Sequence, residues 1–188
     1  MSSNFYYLVS SLPMLFFGSV PSITMAEFMA ACHSNLSPSD LTILERASLL
    51  PGTVPTGSAL LDEYYSYDTN LRNLVARHRA TTIGTDPSEN CRPENDFYSE
   101  QALLVQETFA LSNPIDREKY LDNRRFAYLD SLAALRRFTI DGVIAYKLEL
   151  MLCEKYQPLT ESAGRAGLDE VIQAIAAAGA DNHDVTGE

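Results

Sequence analysis

One apolar pattern organises the chain. From Thr139 to Tyr156 the sequence reads TIDGVIAYKLELMLCEKY, and Ile140, Val143, Ile144, Leu148, Met151 and Leu152 recur at helical spacing. Tyr146 and Leu150 lie off that stripe, so a second face is partly apolar. Only Lys147 and Glu149 are charged between Gly142 and Cys153. Thr139 suits an N-cap and Asp141 the first turn, where the helix dipole favours a carboxylate. A helix with so little polar surface belongs among other helices. The pattern predicts the central helix of an antiparallel, all-α bundle.

The remaining elements follow from periodicity and punctuation. Residues 4–15 (NFYYLVSSLPML) read as a short helix or an extended piece docked on the bundle, since Pro13 forbids a continuous helix. Thr24 and Glu27 form a capping-box pattern that opens a helix to about Ser34. Ser37-Pro38 starts another, carried by Leu41, Leu44, Ala47 and Leu49 to Leu50. Pro51 to Gly57 is linker-like. Ser58 to Ile83 is the longest helical candidate, with Leu60, Leu61, Tyr64, Tyr67, Leu71, Leu74, Val75 and His78 inward and Gly84 as its stop. Asp62, Glu63 and Asp68 come early in it and Arg72, Arg77 and Arg79 late, an order that complements the macrodipole. Thr85 to Asp96 reads as surface loop. A helix from Phe97 to Leu111 precedes one from Asn113 to about Phe138, with Tyr120, Leu121, Tyr128, Leu129, Leu132 and Leu135 inward. The short turn after it predicts that this helix and the central one are antiparallel neighbours. Gly167 to Ala178 is a last amphipathic helix. Residues 1–178 thus read as one helical domain, with possible sub-units 1–50 and 58–178, and 179–188 as a flexible tail.

Charge and chemistry narrow the function classes. A formal net charge of −11 argues against nucleic acid and against polybasic attachment to anionic lipid. Cys32, Cys91 and Cys153 are odd in number and in no CxxC pattern, which suggests reduced thiols in a cytoplasmic protein. No run is long enough for direct membrane insertion. The N-terminal apolar stretch lacks the basic residue of a signal peptide, Arg46 being the first, and reads as part of the mature fold. His33, His78 and His183 share no metal-ligand spacing, no phosphate-binding loop or nucleophile elbow occurs, and no metal or cofactor is implied. The chain reads as a non-enzyme. Carboxylates converging in a pocket would revive an enzyme.

Three side chains have both a structural and a functional reading. His78 is expected as a hydrogen-bonded residue at the core edge. Arg72 and Arg79, one heptad apart, could meet an acidic partner or pair with the chain's own carboxylates. Lys147, on the apolar side of the central helix, is expected to snorkel to a carboxylate.

The strings FYYLVSSLPML, MAEFMAAC with LSPSDLTILE, LRNLVARHRA, and ALRRFTIDGVIAYKLELMLCEKY resemble a bacterial family encoded beside the genes of V/A-type ATP synthases. That family is similar to the stalk-to-rotor adaptor of the machine. The resemblance runs in patches along most of the chain and rests on hydrophobic and aromatic patterns. It implies an all-helical, non-catalytic adaptor that links the central stalk to the membrane rotor ring, cytoplasmic and peripheral to the inner membrane. Its implied partners are the other V-type ATPase subunits. Tyr6 and Tyr7 match the family's opening motif, and Arg72, Arg77 and Arg79 its arginine-bearing helix, so these five are the partner-binding candidates. The chain departs from the ATP synthase adaptor in having Ser10, Ser11 and Pro13 where arginines continue the first helix, and in showing no threefold repeat. A free-standing helical binding or scaffold protein is the alternative.

Overall fold

The computed structural model describes residues 3–50, 52, 56–94 and 98–156. Among them the chain forms seven α-helices and no strand: α1 (Phe5–Ser11), α2 (Met25–Asn35), α3 (Pro38–Arg46), α4 (Ala59–Ile83), α5 (Ser99–Ala110), α6 (Pro114–Ala133) and α7 (Ile140–Glu154). The all-α expectation holds. Met1–Cys153 and Glu154–Glu188 are separate compact units. In the second, Lys155 Nζ lies 5.4 Å from the centroid of the Tyr156 ring. The expected helix at Gly167–Ala178 and the tail lie outside the described residues.

Helix starts are set by short polar side chains. Thr24 and Glu27 complete the reciprocal capping box of α2. Ser37 caps α3 ahead of Pro38, Ser58 caps α4, and Asn113 caps α6 ahead of Pro114. The opening segment resolves into a helix capped by Asn4, with Leu8 fully buried, and turns extended beyond it. Gly84 ends α4 in the left-handed conformation that a Cβ would strain.

Three predicted ends are corrected. α3 stops at Arg46 and not Leu50, because Ala47 turns to extended backbone while its carbonyl is taken from elsewhere in the fold. α6 stops at Ala133 and not Phe138. Residues 134–138 form hydrogen-bonded turns, with Arg136 N donating to Ala133 O and Thr139 N to Arg136 O, so Leu135 points fully outward instead of inward. At the start of α7 the Thr139 hydroxyl donates to Arg136 O at 2.7 Å. Its carbonyl accepts from Val143 N, and the expected side-chain cap is spent on the turn. A Cβ on Gly142 would collide with the carbonyl oxygens of Arg136 and Arg137, so this turn lies directly on the first turn of α7.

The core has two clusters. The larger gathers α1, α2, α3, the first turns of α4, the end of α6 and nearly every face of α7, with Val143, Ile144, Leu148, Leu150 and Leu152 buried. α7 is central, as its all-round apolarity implies. The smaller joins Tyr67, Leu71 and Val75 of α4 to Leu104 and Val105 of α5 and Leu121 of α6. The close helix pairs are α4 with α5, α4 with α6, α5 with α6, and α1 with α2. α6 contributes Leu121 to the small cluster and Leu129 and Ala133 to the large one that holds α7, and α6 with α7 is not among the close helix pairs.

Candidate functional site

The five partner-binding candidates fall into two groups. Tyr6 and Tyr7 stand on α1 with 71% and 62% of their surface exposed, while Leu8 anchors the helix beneath them. Tyr6 leans on Phe138, ring centroids 5.3 Å apart. The three arginines are engaged by the chain's own carboxylates. Arg72 Nε donates to Asp68 at 2.6 Å, Arg77 pairs with Glu94 at 2.8 Å, and Arg79 reaches Glu118 at 3.8 Å. Intramolecular pairing is therefore the observed state of all three. The dipole account of Asp68 is also corrected, since its carboxylate is fully buried.

That burial exposes a feature the sequence pattern hid. Asp68 sits on α4 one turn beyond Tyr64 of the large cluster and next to Tyr67 of the small one. Arg125 and Asp122 sit on α6 between Leu121 and Leu129, so the ions occupy the seam between the two clusters. Arg125 Nε donates to Asp68 Oδ1 at 2.6 Å and its Nη1 to Asp122 Oδ1 at 2.7 Å, and Arg72 takes Asp68 Oδ2. Two carboxylates and two guanidiniums make the group neutral. Burial works against the Arg125 charge, but Asp68 and Asp122 outweigh it and hold the proton more tightly than usual. The Tyr64 hydroxyl is buried beside this group without a hydrogen-bond partner among the described residues, and burial pushes its phenol well above the usual tyrosine range. Two carboxylates thus do converge. Both Asp68 oxygens and one of Asp122 are held by arginines, an arrangement suited to fixing helices and not to accepting a substrate proton.

A cue for this site was available. Asp68 and Arg72 are four residues apart, as are Tyr64 and Asp68, and Asp122 and Arg125 are three apart, so each set shares a helix face. The same faces carry Tyr67, Leu71 and Leu129, so the charges had to enter the core with them.

Lys147 is buried as its position on α7 implies, but among the described residues it meets backbone carbonyls and not a carboxylate. Its Nζ donates to the carbonyls of Leu44 at 2.7 Å, Ala47 at 2.9 Å and Glu45 at 3.2 Å. These are carbonyls at the end of α3, where Leu44 O also accepts from Ala47 N, and α7 supplies a cationic cap to them. Burial draws the ammonium below the usual lysine range, with Glu45 opposing. Burial likewise pushes the nearby Cys32 thiol up to about 12, against the pull of Lys147.

Other titratable groups complete the picture. Glu149 is pushed up to about 8 by burial, with Asp130 adding to the rise and Arg137 opposing it. His78 stacks on Phe109 at 3.9 Å, and its buried Nδ1 has no hydrogen-bond partner among the described residues. Asn73 fastens the loop after α4. Its Nδ2 donates to Arg92 O and Glu94 Oε1, and its Oδ1 accepts from Arg92 N. Among the described residues no group of three or more His, Cys, Asp or Glu side chains could hold a metal ion, and no helix is long and apolar enough to cross a membrane.

A family model described as a protein of unknown function (DUF2764) matches residues 100–178, which takes in α5, α6 and α7. No curated protein and no solved structure matches the chain.

Proposed function

We infer that this chain is a non-catalytic adaptor of a bacterial V-type ATP synthase, linking its central stalk to the membrane rotor ring. The observation that carries the reading is the pair Tyr6 and Tyr7, the residues of the resembling motif, exposed on a helix whose Leu8 is fully buried. Aromatic side chains held out on a rigid base supply contact area at little cost in entropy, which is what an adaptor requires. The neutral, arginine-filled seam supports the same reading, because it stiffens the frame and offers no nucleophile or open base.

One observation favours the alternative, a free-standing helical binding or scaffold protein. Arg72, Arg77 and Arg79 are each paired within the chain, so the basic contact expected on α4 is already occupied.

Affinity purification of the tagged full chain from its native cell tests the two. The adaptor brings down the head and stalk subunits of the ATPase or the membrane ring, and Tyr6→Ser with Tyr7→Ser weakens that recovery without altering the melting temperature. Recovery of the chain alone, while the other subunits co-purify with one another, overturns the adaptor and leaves the scaffold.

A further inference from the structure

The α6–α7 turn and α1 form one exposed apolar face. Leu135 is completely exposed and Phe138 is 51% exposed, and Phe138 touches Tyr6, beside Tyr7. Monomeric proteins rarely leave such side chains contiguous in water. The face is also preorganised. The turn is tied by its own hydrogen bonds and lies so closely on α7 that a Cβ at Gly142 would not fit. Ordering it on contact therefore loses little.

The charges around it decide the occupant. The chain carries a net charge of −11, and its first charged side chain is Glu27, so α1 brings none to the contact. At the edge of the face Arg137 Nη2 meets Asp130 Oδ1 at 3.0 Å, with both side chains more than half exposed. Arg136 likewise faces Asp141 at 3.7 Å. The edge thus holds both signs, Arg136 and Arg137 beside Asp130, Asp141 and Glu149. A surface shaped for a strongly acidic or basic partner would present one sign. One that must match itself across a two-fold axis needs both. Two chains of like charge also meet most easily where both signs are present, and anionic lipid is repelled by the whole molecule.

We propose that two copies of this chain associate through this face about a two-fold axis. Leu135 and Phe138 of each copy pack on the aromatic side chains of α1 of the other, and Arg137 of each reaches Asp130 of the other. The exposed intramolecular pair contributes little, so exchanging it between copies is nearly neutral and adds register. The proposal does not depend on the adaptor reading.

Sedimentation velocity on the full chain from ~1 to ~200 μM should reveal a concentration-dependent dimer, the range in which a modest apolar interface with a charged rim associates. Leu135→Glu and Phe138→Glu should weaken it at least about tenfold with the far-UV circular dichroism and melting temperature unchanged, since both side chains are exposed in the single copy. Arg137→Glu and Asp130→Arg should each weaken self-association at least about tenfold. Mixed in equal amounts, these two variants should recover dimer, because every cross-pair in the mixed species joins opposite signs. An intramolecular pair cannot produce that recovery. A chain that stays monomeric throughout the range, a dimer indifferent to Leu135→Glu, or no recovery on mixing would each overturn the proposal. So would a monomer that floats with neutral phosphatidylcholine vesicles through the same face. Both readings use the α1 aromatics, but sedimentation of the purified chain reports the dimer and recovery from native extract reports the adaptor, so their failures are distinguishable.

Discussion

Two buried cations divide the molecule. Around α7, Lys147 is buried against uncharged backbone, and the side chains about it are almost all apolar. Where α4 crosses α6, Arg125 is buried against two carboxylates, with a second arginine closing the group from the half-exposed side. The first cation completes a helix end. The second pins the register between two helices. A core that is apolar all round can slide by a turn at modest cost, whereas a seam of ions has one arrangement in which every charge is met. The larger cluster supplies most of the buried apolar surface, and the seam decides how the smaller cluster is set against it.

The largest expected effect comes from breaking the seam on one side only. Arg125→Leu removes the buried countercharge that Asp68 and Asp122 share, with Arg72 still on Asp68, and should destabilise the fold by about 3–5 kcal/mol in urea unfolding. Replacing the triad together, with Asp68→Leu, Asp122→Leu and Arg125→Met, removes the desolvated charges as a set and should be neutral to stabilising by about 1–4 kcal/mol. If the single change is tolerated as well as the triple, the seam does not hold the helices in register and the contrast collapses.

Lys147 sharpens the other side. Lys147→Met keeps the apolar stem but withdraws three donors from the carbonyls of Leu44, Glu45 and Ala47. Loss of these donors from the buried carbonyls should make it less stable by about 1–3 kcal/mol, in contrast to the near-neutral outcome expected of a lysine that snorkels to a carboxylate. Hydrogen exchange should accelerate first at the end of α3. A neutral result, or protection lost elsewhere instead, removes the capping role.

These two sites also mark what was legible in the residues. α7 could be read because 3.6-residue periodicity reports which faces are apolar, and its faces are apolar nearly everywhere. The caps at Thr24, Ser37 and Asn113 could be read because capping is a contact within four residues, whereas α5 starts after Tyr98 with no side-chain cap. What remained hidden depends on contacts far apart in the chain: Asp68 with Arg125 across 57 positions, and Lys147 with Leu44 across 103. The end of α3 was overrun because Leu49 continued the pattern, while the deciding partner lay on α7. The end of α6 was overrun for a related reason. Leu135 fits the apolar spacing of α6, yet the turn that holds it is set by the space that Gly142 leaves.

The α6–α7 corner gives a smaller, pH-dependent test between the two regions. Glu149 takes up its proton at about 8 in the fold against an ordinary 4.5, with burial as the main cause and Asp130 adding to it. Between these values the native chain holds a proton that the unfolded chain has released. Stability therefore falls as pH rises through that window, and the loss is complete above about 8. Glu149→Gln should remove this slope, so the variant matches wild type near about pH 5 and melts higher than wild type near about pH 9. A wild-type profile that Gln leaves unchanged would place Glu149 in water. The seam predicts no such window of its own in this range, because its arginine holds its proton more tightly than usual.

The smallest expected effect separates Arg79 from Arg72, which share a face of α4 but not an environment. Arg72 neutralises a fully buried carboxylate, so Arg72→Glu sets a second negative charge against Asp68 and should destabilise the chain. Reversal of Arg72 therefore reports on folding before it reports on any partner. Arg79 reaches Glu118 only at 3.8 Å, with both side chains more than a third exposed. Water and salt screen such a pair, and Arg79→Glu should change stability by less than about 0.5 kcal/mol. That leaves Arg79→Glu as a clean probe of function, because a change in the recovery of ATPase subunits could not be blamed on unfolding. If Arg79 contributes to a stalk contact, recovery from native extract drops, and drops further at low salt, where charge complementarity counts most. Unchanged recovery confines the contact to the apolar face of Tyr6 and Tyr7. A measured destabilisation as large as that of Arg72→Glu would mean that the exposed end of α4 and the buried seam are one cooperative network, and the division between them would have to be redrawn.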